Sequence, residues 1–303
     1  MENIVINNRD YKLISHFKHN NELRNSFNLL TQQVFHFDFE KWYKSGYWED
    51  NCLLYSLLDI DRIVSHITVN IIDFIVLGEK KRFIQLGTVM TDEHYRNKGL
   101  SRVLLEKVLT EWENKCDMIY LYANDSVLDF YPKFGFVPVD EYQASIKNSK
   151  IKSPYSVRKM DIDHVSDLNL LFEKAKEAVS LFKLSMQDNA GLIMFYCNYF
   201  DLYSLKENLF YIEDFQAIAV AEYVDDTLIL YDILATQKIE IEDVIYTLAT
   251  EQTKNVILRF MPINNENYEV SIFKEEDSTL MVMADKSELF KNNKLIFPML
   301  SHT

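Results

Sequence analysis

The chain has 303 residues, and its 46 acidic and 32 basic side chains give a formal net charge of −14 at neutral pH. Binding to a nucleic-acid backbone needs a basic stripe, so this balance argues against a nucleic-acid-binding protein. Hydrophobic residues make up 48% of the chain, while there are only six glycines and five prolines, which excludes collagen-like and disordered classes.

The first residues lack a basic segment followed by an apolar core, and no apolar run approaches the length of a membrane span. We therefore expect no signal peptide and no membrane helix. The three cysteines, Cys52, Cys116 and Cys197, are far apart and form no CxxC pair. This spacing predicts free thiols in a cytoplasmic protein, with neither a disulfide nor a metal site.

The residue pattern of the first half predicts helices, a meander of strands, and then a loop, a helix and a strand. Apolar residues at helical spacing mark the helices, and runs rich in Ile and Val mark the strands. In chain order the predicted elements are a helix over residues 20–34, a short helix and loop over 37–50, three strands over 52–90, a loop over 91–99, a helix over 100–115, a strand over 117–124, a short helix over 126–134 that ends near Pro132, and a last strand over 135–143.

The composition changes after this strand. Residues 144–161 are polar and basic with one proline, and within them we place a linker at residues 146–160. The elements predicted beyond it are a helix over 163–182, a hairpin over 215–235 that turns at Asp225–Asp226, a helix over 241–252 and a strand over 255–262. Both halves contain the order strand, loop, helix, strand, which favours a duplicated domain. The two domains are expected at residues 1–145 and 161–303.

A basic loop with a glycine, EHYRNKGLSR at residues 93–102 and called the glycine loop below, precedes the helix over 100–115. Gly99 allows the backbone to approach a ligand, and Arg96 and Lys98 add positive charge. The first backbone N–H groups of a helix have no partner within it, and the helix dipole makes that end positive. The loop therefore predicts a pyrophosphate site. The patterns GxxxxGK[ST] and GxGxxG are absent, which leaves [QR]-x-x-G-x-[GA], with Ser101 in the last place.

At this loop the chain resembles the GNAT superfamily of acetyl-CoA-dependent N-acetyltransferases. TVMTDEHYRNKG resembles the strand and loop of that family, and Asn124 followed by Tyr131 in DFYPKFGF resembles its N-x-x-A-x-x-x-Y…GF segment, with Val127 where Ala is usual. The resemblance is specific over residues 82–138 and only architectural in the second half. It implies an α/β (mixed α+β) fold of two tandem GNAT-like domains, each a central mixed, mostly antiparallel sheet flanked by helices.

The resemblance implies an N-acetyltransferase that moves an acetyl group from acetyl-CoA to a primary amine of a small molecule or a peptide. Tyr131 matches the family's position for the acid that protonates the leaving thiolate. The residues expected to bind the cofactor are Val89, Met90, Thr91, Arg96, Asn97, Lys98, Gly99, Leu100, Ser101, Asn124 and Tyr131. The alternative is a non-catalytic acyl-CoA sensor or a pseudo-enzyme.

The base that accepts the proton of the amine is left open. His66 and His94 are candidates by residue type, and a chain of water molecules would also serve. Related tandem acetyltransferases of the enhanced-intracellular-survival type use the terminal carboxylate, which belongs to Thr303 here. That residue ends the apolar stretch LIFPMLSHT.

The second half has a different loop at the corresponding position, residues 237–243. Glu240 stands where the glycine is expected, and Glu242 occupies the position of the small residue. These carboxylates would repel a pyrophosphate. We therefore predict a degenerate second domain that no longer binds CoA and that shapes the substrate pocket or an oligomer; a homodimer is left open.

The sequence does not specify the acceptor amine. The acidic balance would steer polyamines, aminoglycosides or basic peptide ends to the protein, or it serves solubility alone. Six aromatic residues precede the first predicted sheet, and they either wall the acceptor site, as the corresponding region of the family does, or form a satellite core. They are Phe37, Phe39, Trp42, Tyr43, Tyr47 and Trp48.

Overall fold

A computed structural model describes residues 1–148, 153–200, 202 and 204–302, which form two β-sheets with helices packed on them. The helices are α1 (Asn21–Phe35), α2 (Glu40–Lys44), α3 (Leu100–Trp112), α4 (Val165–Glu177), α5 (Ala190–Met194), α6 (Ile241–Leu248) and α7 (Glu288–Asn293). Among the described residues, no helix is both long enough and apolar enough to span a bilayer.

The first sheet has nine strands within the described part of the chain. Their spatial order is β1 (Glu2–Ile6), β2 (Arg9–Ser15), β3 (Cys52–Asp59), β4 (Arg62–Val76), β5 (Glu79–Thr91), β6 (Met118–Ala123), β16 (Thr279–Met283) and β7 (Phe136–Pro138), and β10 (Leu184–Gln187) pairs with the end of β4. Among the described strands of this sheet, only the pair β5–β6 is parallel. The predicted three-strand meander over residues 52–90 is present as β3, β4 and β5.

The second sheet has seven strands in the same described ranges. Their spatial order is β15 (Glu269–Phe273), β8 (Glu141–Lys147), β14 (Asn255–Leu258), β13 (Thr227–Ala235), β12 (Ala217–Val224), β11 (Leu209–Ile212) and β9 (Val157–Lys159). Of the strand pairs described in this sheet, only β13 and β14 run parallel. Both sheets are thus mixed and mostly antiparallel, which confirms the predicted fold class.

The helix predicted over residues 20–34 is α1. Its N-cap is Asn20, whose side chain accepts a hydrogen bond from the Leu23 backbone N–H at 3.1 Å. This bond provides one of the first amides of the helix with the partner that it lacks within the helix. Phe27 and Leu30 are buried on the face that the apolar spacing marks.

The two sheets exchange a strand. β8 follows β7 in the chain but pairs with β14 in the second sheet, while β16 comes from the second half and lies between β6 and β7. The prediction of one last strand over residues 135–143 is therefore wrong. The chain leaves the first sheet after Pro138, and Val139 donates its N–H to the Leu280 carbonyl at 3.0 Å.

The short helix predicted over residues 126–134 is replaced by two 3₁₀ turns, Asp125–Val127 and Tyr131–Phe134. Pro132 lies inside the second turn and does not end it. A proline is tolerated at the start of a helical turn because the N–H that it lacks would have no partner there. Of the predicted linker, residues 149–152 lie outside the described residues, and Val157–Lys159 form β9.

The largest hydrophobic cluster contains residues of both halves, among them Phe27, Trp42, Phe74, Phe195 and Phe297. It lies on the face of the first sheet that α1 covers. A second cluster on the opposite face packs under α3, and a third belongs to the second sheet. The halves therefore share a core.

Candidate active site

A cleft lies where two parallel strands separate. β5 and β6 pair over four residues each, and the pairing ends at Leu86 and Leu121. Both strands continue, β5 to Thr91 and β6 to Ala123. In the described structure β5 has no ladder partner on β6 after Leu86, so this edge of its backbone can pair with a ligand. The opening has a volume of about 970 Å³.

A β-bulge in β5 contributes to this separation. His66 of β4 pairs with Met90, whereas Thr68 pairs with Gly87, so the register shifts by one residue. Thr88 lies at the bulge with φ of 39°. A bulge bends its strand and increases the local twist. The last residues of β5 therefore diverge from β6.

The glycine loop forms one end of the cleft, called the loop end below. Asn97 and Gly99 adopt left-handed backbone conformations, with φ of 60° and 81°. Gly99 caps α3, and a Cβ built on it would meet no atom within 4 Å. Since no side chain caps this helix, its first N–H groups are free to bind an anion. The open space at Gly99 gives a ligand access to them.

Hydroxyl groups fix the start of α3 to the end of β5. Thr91 Oγ1 lies 2.7 Å from Ser101 Oγ and 2.8 Å from Ser65 Oγ. The Ser101 hydroxyl is therefore engaged with Thr91. Lys98 is directed elsewhere, because its Nζ donates to the His94 carbonyl at 2.6 Å and lies 4.8 Å from the ring centre of Tyr95.

The structure brings ten of the eleven residues predicted to bind the cofactor to this cleft. Lys98 does not line it. Three exposed cations, Arg96, Arg102 and Lys133, line the loop end, and two of them were not predicted. The predicted residues that line the cleft are Val89, Met90, Thr91, Arg96, Asn97, Gly99, Leu100, Ser101, Asn124 and Tyr131.

Tyr131 lines the cleft from the second 3₁₀ turn. Its side chain is buried, with 5% exposure, and its ring lies edge-on to Phe130 and Phe136 at 5.2 and 6.1 Å between centroids. Burial raises the pKa of Tyr131 to about 12 because the charged phenolate is disfavoured away from water. The phenol is therefore protonated at neutral pH and can donate a proton.

Asn124 lies at the end of β6 and is held by the second half. Its Nδ2 donates to the backbone carbonyl and to the carboxylate of Asp277, both at 3.1 Å. Asp277 lies in the turn between β15 and β16 and also accepts the Asp125 backbone N–H at 2.7 Å. The rim of the cleft thus depends on the turn that leads into the exchanged strand.

Aromatic side chains of both halves form the other end of the cleft, called the aromatic end below. A π-helical turn over Phe195–Tyr199 continues α5, and Phe200 donates its N–H to the Phe195 carbonyl at 2.8 Å. The residues of the aromatic end are Phe37, Phe39, Trp42, Leu192, Phe195, Tyr196 and Phe200. Of the aromatic stretch in the first half, Phe37, Phe39 and Trp42 line the cleft, while Trp48 is buried in the core against Trp42.

A row of hydrogen bonds leads from the interior to the cleft. His66 is fully buried, with Nδ1 2.7 Å from Ser56 Oγ and Nε2 2.9 Å from Thr68 Oγ1. The Thr68 hydroxyl bonds to that of Thr88, and both threonines line the cleft. Burial lowers the pKa of His66 to about 3, so the ring is neutral and a weak base. His94, the other candidate, is exposed and does not line the cleft.

A buried carboxyl group lies behind the cleft-lining Tyr122, and the sequence patterns did not indicate it. The Tyr122 hydroxyl donates to Glu141 Oε1 at 3.1 Å, and the Phe297 backbone N–H donates to the same oxygen at 2.8 Å. Burial raises the pKa of Glu141 to about 7. His302 Nε2 lies 2.9 Å from the Tyr122 hydroxyl, and burial lowers the pKa of His302 to about 4. Thr303, with the terminal carboxylate, lies outside the described residues.

The corresponding opening of the second half is filled by the chain itself. β13 and β14 pair only as far as Leu230 and Leu258, as β5 and β6 do. Val179 donates its N–H to the carbonyl of Ala235, the last residue of β13, at 2.8 Å. The buried Phe182 stacks on Phe260 with 3.8 Å between ring centroids.

The loop before α6 is also engaged in contacts of its own. Tyr268 donates its hydroxyl to Glu242 at 2.8 Å, and Lys238 donates to the Ser180 carbonyl. The carboxylate of Glu242, at the position of the small residue, is therefore engaged by Tyr268.

A family model for an acetyltransferase (GNAT) domain matches residues 18–139 of the chain. This range contains the glycine loop, α3, β6 and Tyr131. No curated protein matches the chain at a significant level.

Solved structures match the chain over both halves at low sequence identity. A protein of Enterococcus faecalis named "Probable N-Acyltransferase" is 12% identical, with a TM-score of 0.58, over 92% of this chain and 74% of that chain. A GCN5-related N-acetyltransferase of Kribbella flavida is 15% identical, with a TM-score of 0.54, over 90% and 70%. Eis1 of Mycobacterium abscessus is 10% identical, with a TM-score of 0.54, over 89% and 72%. The chain shares the fold of these proteins.

Proposed function

We propose that the protein transfers an acetyl group from acetyl-CoA to a primary amine of a small molecule or a peptide. The premise is the match of residues 18–139 to an acetyltransferase (GNAT) domain, the family that the glycine loop resembles. The observation that carries the proposal is the open cleft between β5 and β6, with an uncapped helix N-terminus at one end and Tyr131 in its wall. If the edge of β5 were closed, as the edge of β13 is in the second half, CoA could not bind along the strand.

The residues of the cleft fit the chemical parts of CoA. The first amides of α3 and the open position at Gly99 suit a pyrophosphate, and Arg96, Arg102 and Lys133 add charge. The unpaired edge of β5 after Leu86 suits the amide groups of a pantetheine arm, which would pair with the strand near Val89 and Met90. The contribution of Lys98 is indirect, since its amine holds the loop through His94.

Acetyl-CoA would supply an activated thioester. The amine nitrogen forms a bond to the acyl carbon, and the bond from that carbon to sulfur breaks. Tyr131 gives its proton to the leaving sulfur, which its raised pKa permits because the phenol stays protonated at neutral pH. A backbone N–H of β5 beside the bulge would stabilise the developing oxyanion.

The proton of the attacking amine would leave through Tyr122 to Glu141. This path is supported by the 3.1 Å hydrogen bond between them and by a carboxyl pKa of about 7, close to the pH at which a general base works best. The terminal carboxylate of Thr303 remains a separate hypothesis. In an active enzyme, Glu141→Gln should remove the limb near pH 7 from the profile of kcat/KM, whereas deletion of Thr303 should leave that limb in place.

Calorimetric titration with acetyl-CoA tests the cofactor site. The protein should bind about one equivalent, and Gly99→Glu, which copies the second half, should abolish binding. Gly46→Glu is a matched control, because Gly46 is exposed, has φ of 82° and has equally open space around its Cβ position, but does not line the cleft. If Gly99→Glu still binds acetyl-CoA, the cofactor site is not at the glycine loop. If the unmodified protein does not bind acetyl-CoA, the proposed function is wrong.

We propose that the second half does not bind CoA. The chain segment at Val179 and Phe182 occupies the strand edge that a pantetheine arm would need. Two equivalents of acetyl-CoA per chain in the same titration would contradict this. A cytoplasmic location is also proposed, with three free cysteines, Cys52, Cys116 and Cys197, as its support.

A further inference from the structure

The two ends of the cleft differ in charge. The charged side chains that line the cleft within the described residues all lie on the loop end or its rim, and they are Arg96, Arg102, Asp129, Lys133 and Asp277. The lining residues from positions 34–70 and 192–200 include no Asp, Glu, Lys or Arg. Although the chain has a net charge of −14, no acidic side chain lines the aromatic end.

Phe195, at the aromatic end, is covered by neighbouring rings. Phe195 stacks on Phe39 and on Phe200, with 5.4 and 5.1 Å between ring centroids. A cation binds over the face of a ring, where the π electrons lie, whereas the ring edge is positive. Two rings therefore cover Phe195, and no residue that lines this end carries a carboxylate, so an additional ammonium group would have no charged partner in the lining.

Besides Thr91 and Tyr122, three polar residues of the sheet line the cleft near the bulge of β5. Thr68 and Asn70 project from β4, and Thr88 lies beside them at the bulge of β5. Their hydroxyl and amide groups can contact one amino group. Beyond them the wall is apolar and is built by Phe37, Trp42 and the residues of the π-helical turn.

We propose that the acceptor is a monoamine with an apolar body, either alkyl or aryl. Its amino group lies against Thr68, Asn70 and Thr88, and its body occupies the aromatic end formed by both halves. The proposal rests on the proposed acetyltransferase function and names its acceptor class. It departs from the polyamines and aminoglycosides that net charge alone would favour.

The test compares hexylamine and 2-phenylethylamine with 1,6-diaminohexane as acceptors of the full chain with acetyl-CoA. Hexylamine and 1,6-diaminohexane match in length and differ by one ammonium group. Burial of that group without a partner should lower kcat/KM by about 100-fold or more, because desolvation of an unpaired charge is not compensated. The spermidine value should be lower still.

A substitution at Phe37 tests the role of the apolar wall. Phe37 is half-buried at the aromatic end, so a polar replacement can be accommodated. Phe37→Glu should reverse the preference towards 1,6-diaminohexane, whereas Phe37→Gln, which is polar but uncharged, should lower turnover of both amines without reversing it. Acetyl-CoA binding by calorimetry, unchanged in both variants, shows that the proteins are folded.

The outcomes separate this inference from the proposed function. Failure of the unmodified protein to bind acetyl-CoA would contradict both. Acetyl-CoA binding with equal or better turnover of 1,6-diaminohexane or spermidine would overturn the acceptor class alone. Acetyl-CoA binding without turnover of any apolar monoamine would also count against the acceptor class, and so would a Phe37→Glu variant with unchanged preference.

Discussion

A substitution of Tyr131 tests the role of this single residue in the proposed reaction. Tyr131→Phe removes only the hydroxyl group, so the packing against Phe130 and Phe136 should remain. We expect kcat to fall by about 10²–10⁴-fold, the range typical of a lost general acid, while the affinity for acetyl-CoA stays the same. Steady-state kinetics with calorimetry measures both. Tyr11→Phe, at a buried tyrosine that does not line the cleft, is the matched control; equal losses of kcat in the two variants would argue against the role.

Glu141 should give the protein a characteristic dependence of stability on pH. Its pKa is raised from 4.5 to about 7, so between these values the folded state binds more protons at Glu141 than the unfolded state does. The free energy of unfolding therefore falls as pH rises through this window. Relative to wild type, Glu141→Gln should gain about 3 kcal/mol between pH 4.5 and pH 8, measured by urea unfolding.

The control for this measurement is Glu222→Gln. Glu222 is partly exposed and also accepts a hydrogen bond from a tyrosine, Tyr231, at 2.7 Å. Glu222→Gln therefore measures the loss of a tyrosine–carboxylate hydrogen bond at a carboxyl group that is not deeply buried. A Glu141→Gln protein whose stability difference from wild type is the same at both pH values would show that burial does not shift this carboxyl group.

At the scale of elements, α5 is seated against the first half through Gly191. A Cβ at this position would fall well inside contact distance of the Tyr47 carbonyl oxygen, and the Gly191 carbonyl accepts the Trp42 indole N–H at 2.9 Å. The contact sets the position of the π-helical turn that carries Phe195 and Tyr196. The aromatic end therefore depends on one close backbone approach.

Gly191→Ala should destabilise the protein although alanine is the better helix former. The helix preference would gain up to about 1 kcal/mol, but overpacking against a backbone oxygen that cannot rotate away should cost about 1–3 kcal/mol or more. The midpoint of urea unfolding measures the sum. Displacement of the turn should also raise KM for the acceptor and leave acetyl-CoA binding unchanged. A variant as stable as wild type would contradict the tight contact.

The elements that sequence patterns predict are those whose signal is local. α1, α3, the meander of β3 to β5 and the hairpin of β12 and β13 each have periodic apolar residues or a turn within the segment itself. β1, β2, α5, β15 and β16 were not predicted. β1 and β2 form a hairpin around Asn7–Asn8, whereas β15 and β16 pair with strands of different sheets, so no pairing within their own segment marks them. Within the cleft, the glycine loop was predictable because the residues that form it are consecutive in the sequence.

The rest of the site depends on contacts between distant residues. The partners of Glu141 lie 19 and 156 positions away in the sequence, so no spacing rule marks it. Trp42 bonds to Gly191 across 149 positions. Lys98 carries the right charge in the right loop, yet its side chain bonds within that loop, which a linear pattern does not reveal.

For the whole molecule, the strand exchange makes the two halves one folding unit. β16 buries Leu280, Met281 and Val282 in the first sheet. At roughly 1.5–3 kcal/mol for each buried side chain, this strand alone contributes about as much as the net stability of an ordinary domain. The first half without β16 would also expose the edges of β6 and β7.

A fragment of residues 1–148 should therefore not fold. Circular dichroism should show no cooperative thermal transition, and calorimetry no acetyl-CoA binding. A chimera in which Pro138 continues through a short turn into the β16 sequence supplies the missing strand and should recover a transition. Cooperative unfolding of the simple fragment with acetyl-CoA binding would show that β16 is dispensable.

The strand exchange also limits how two duplicated domains can diverge. Loss of the glycine in one copy removes a ligand site, but deletion of that copy would remove β16 from the other. Selection for the chemistry of the first half therefore also acts on residues of the second, including the turn at Asp277 that holds Asn124. Under the proposed function, a second half that does not bind CoA is retained for this structural reason, while its surface at α5 can change with the acceptor.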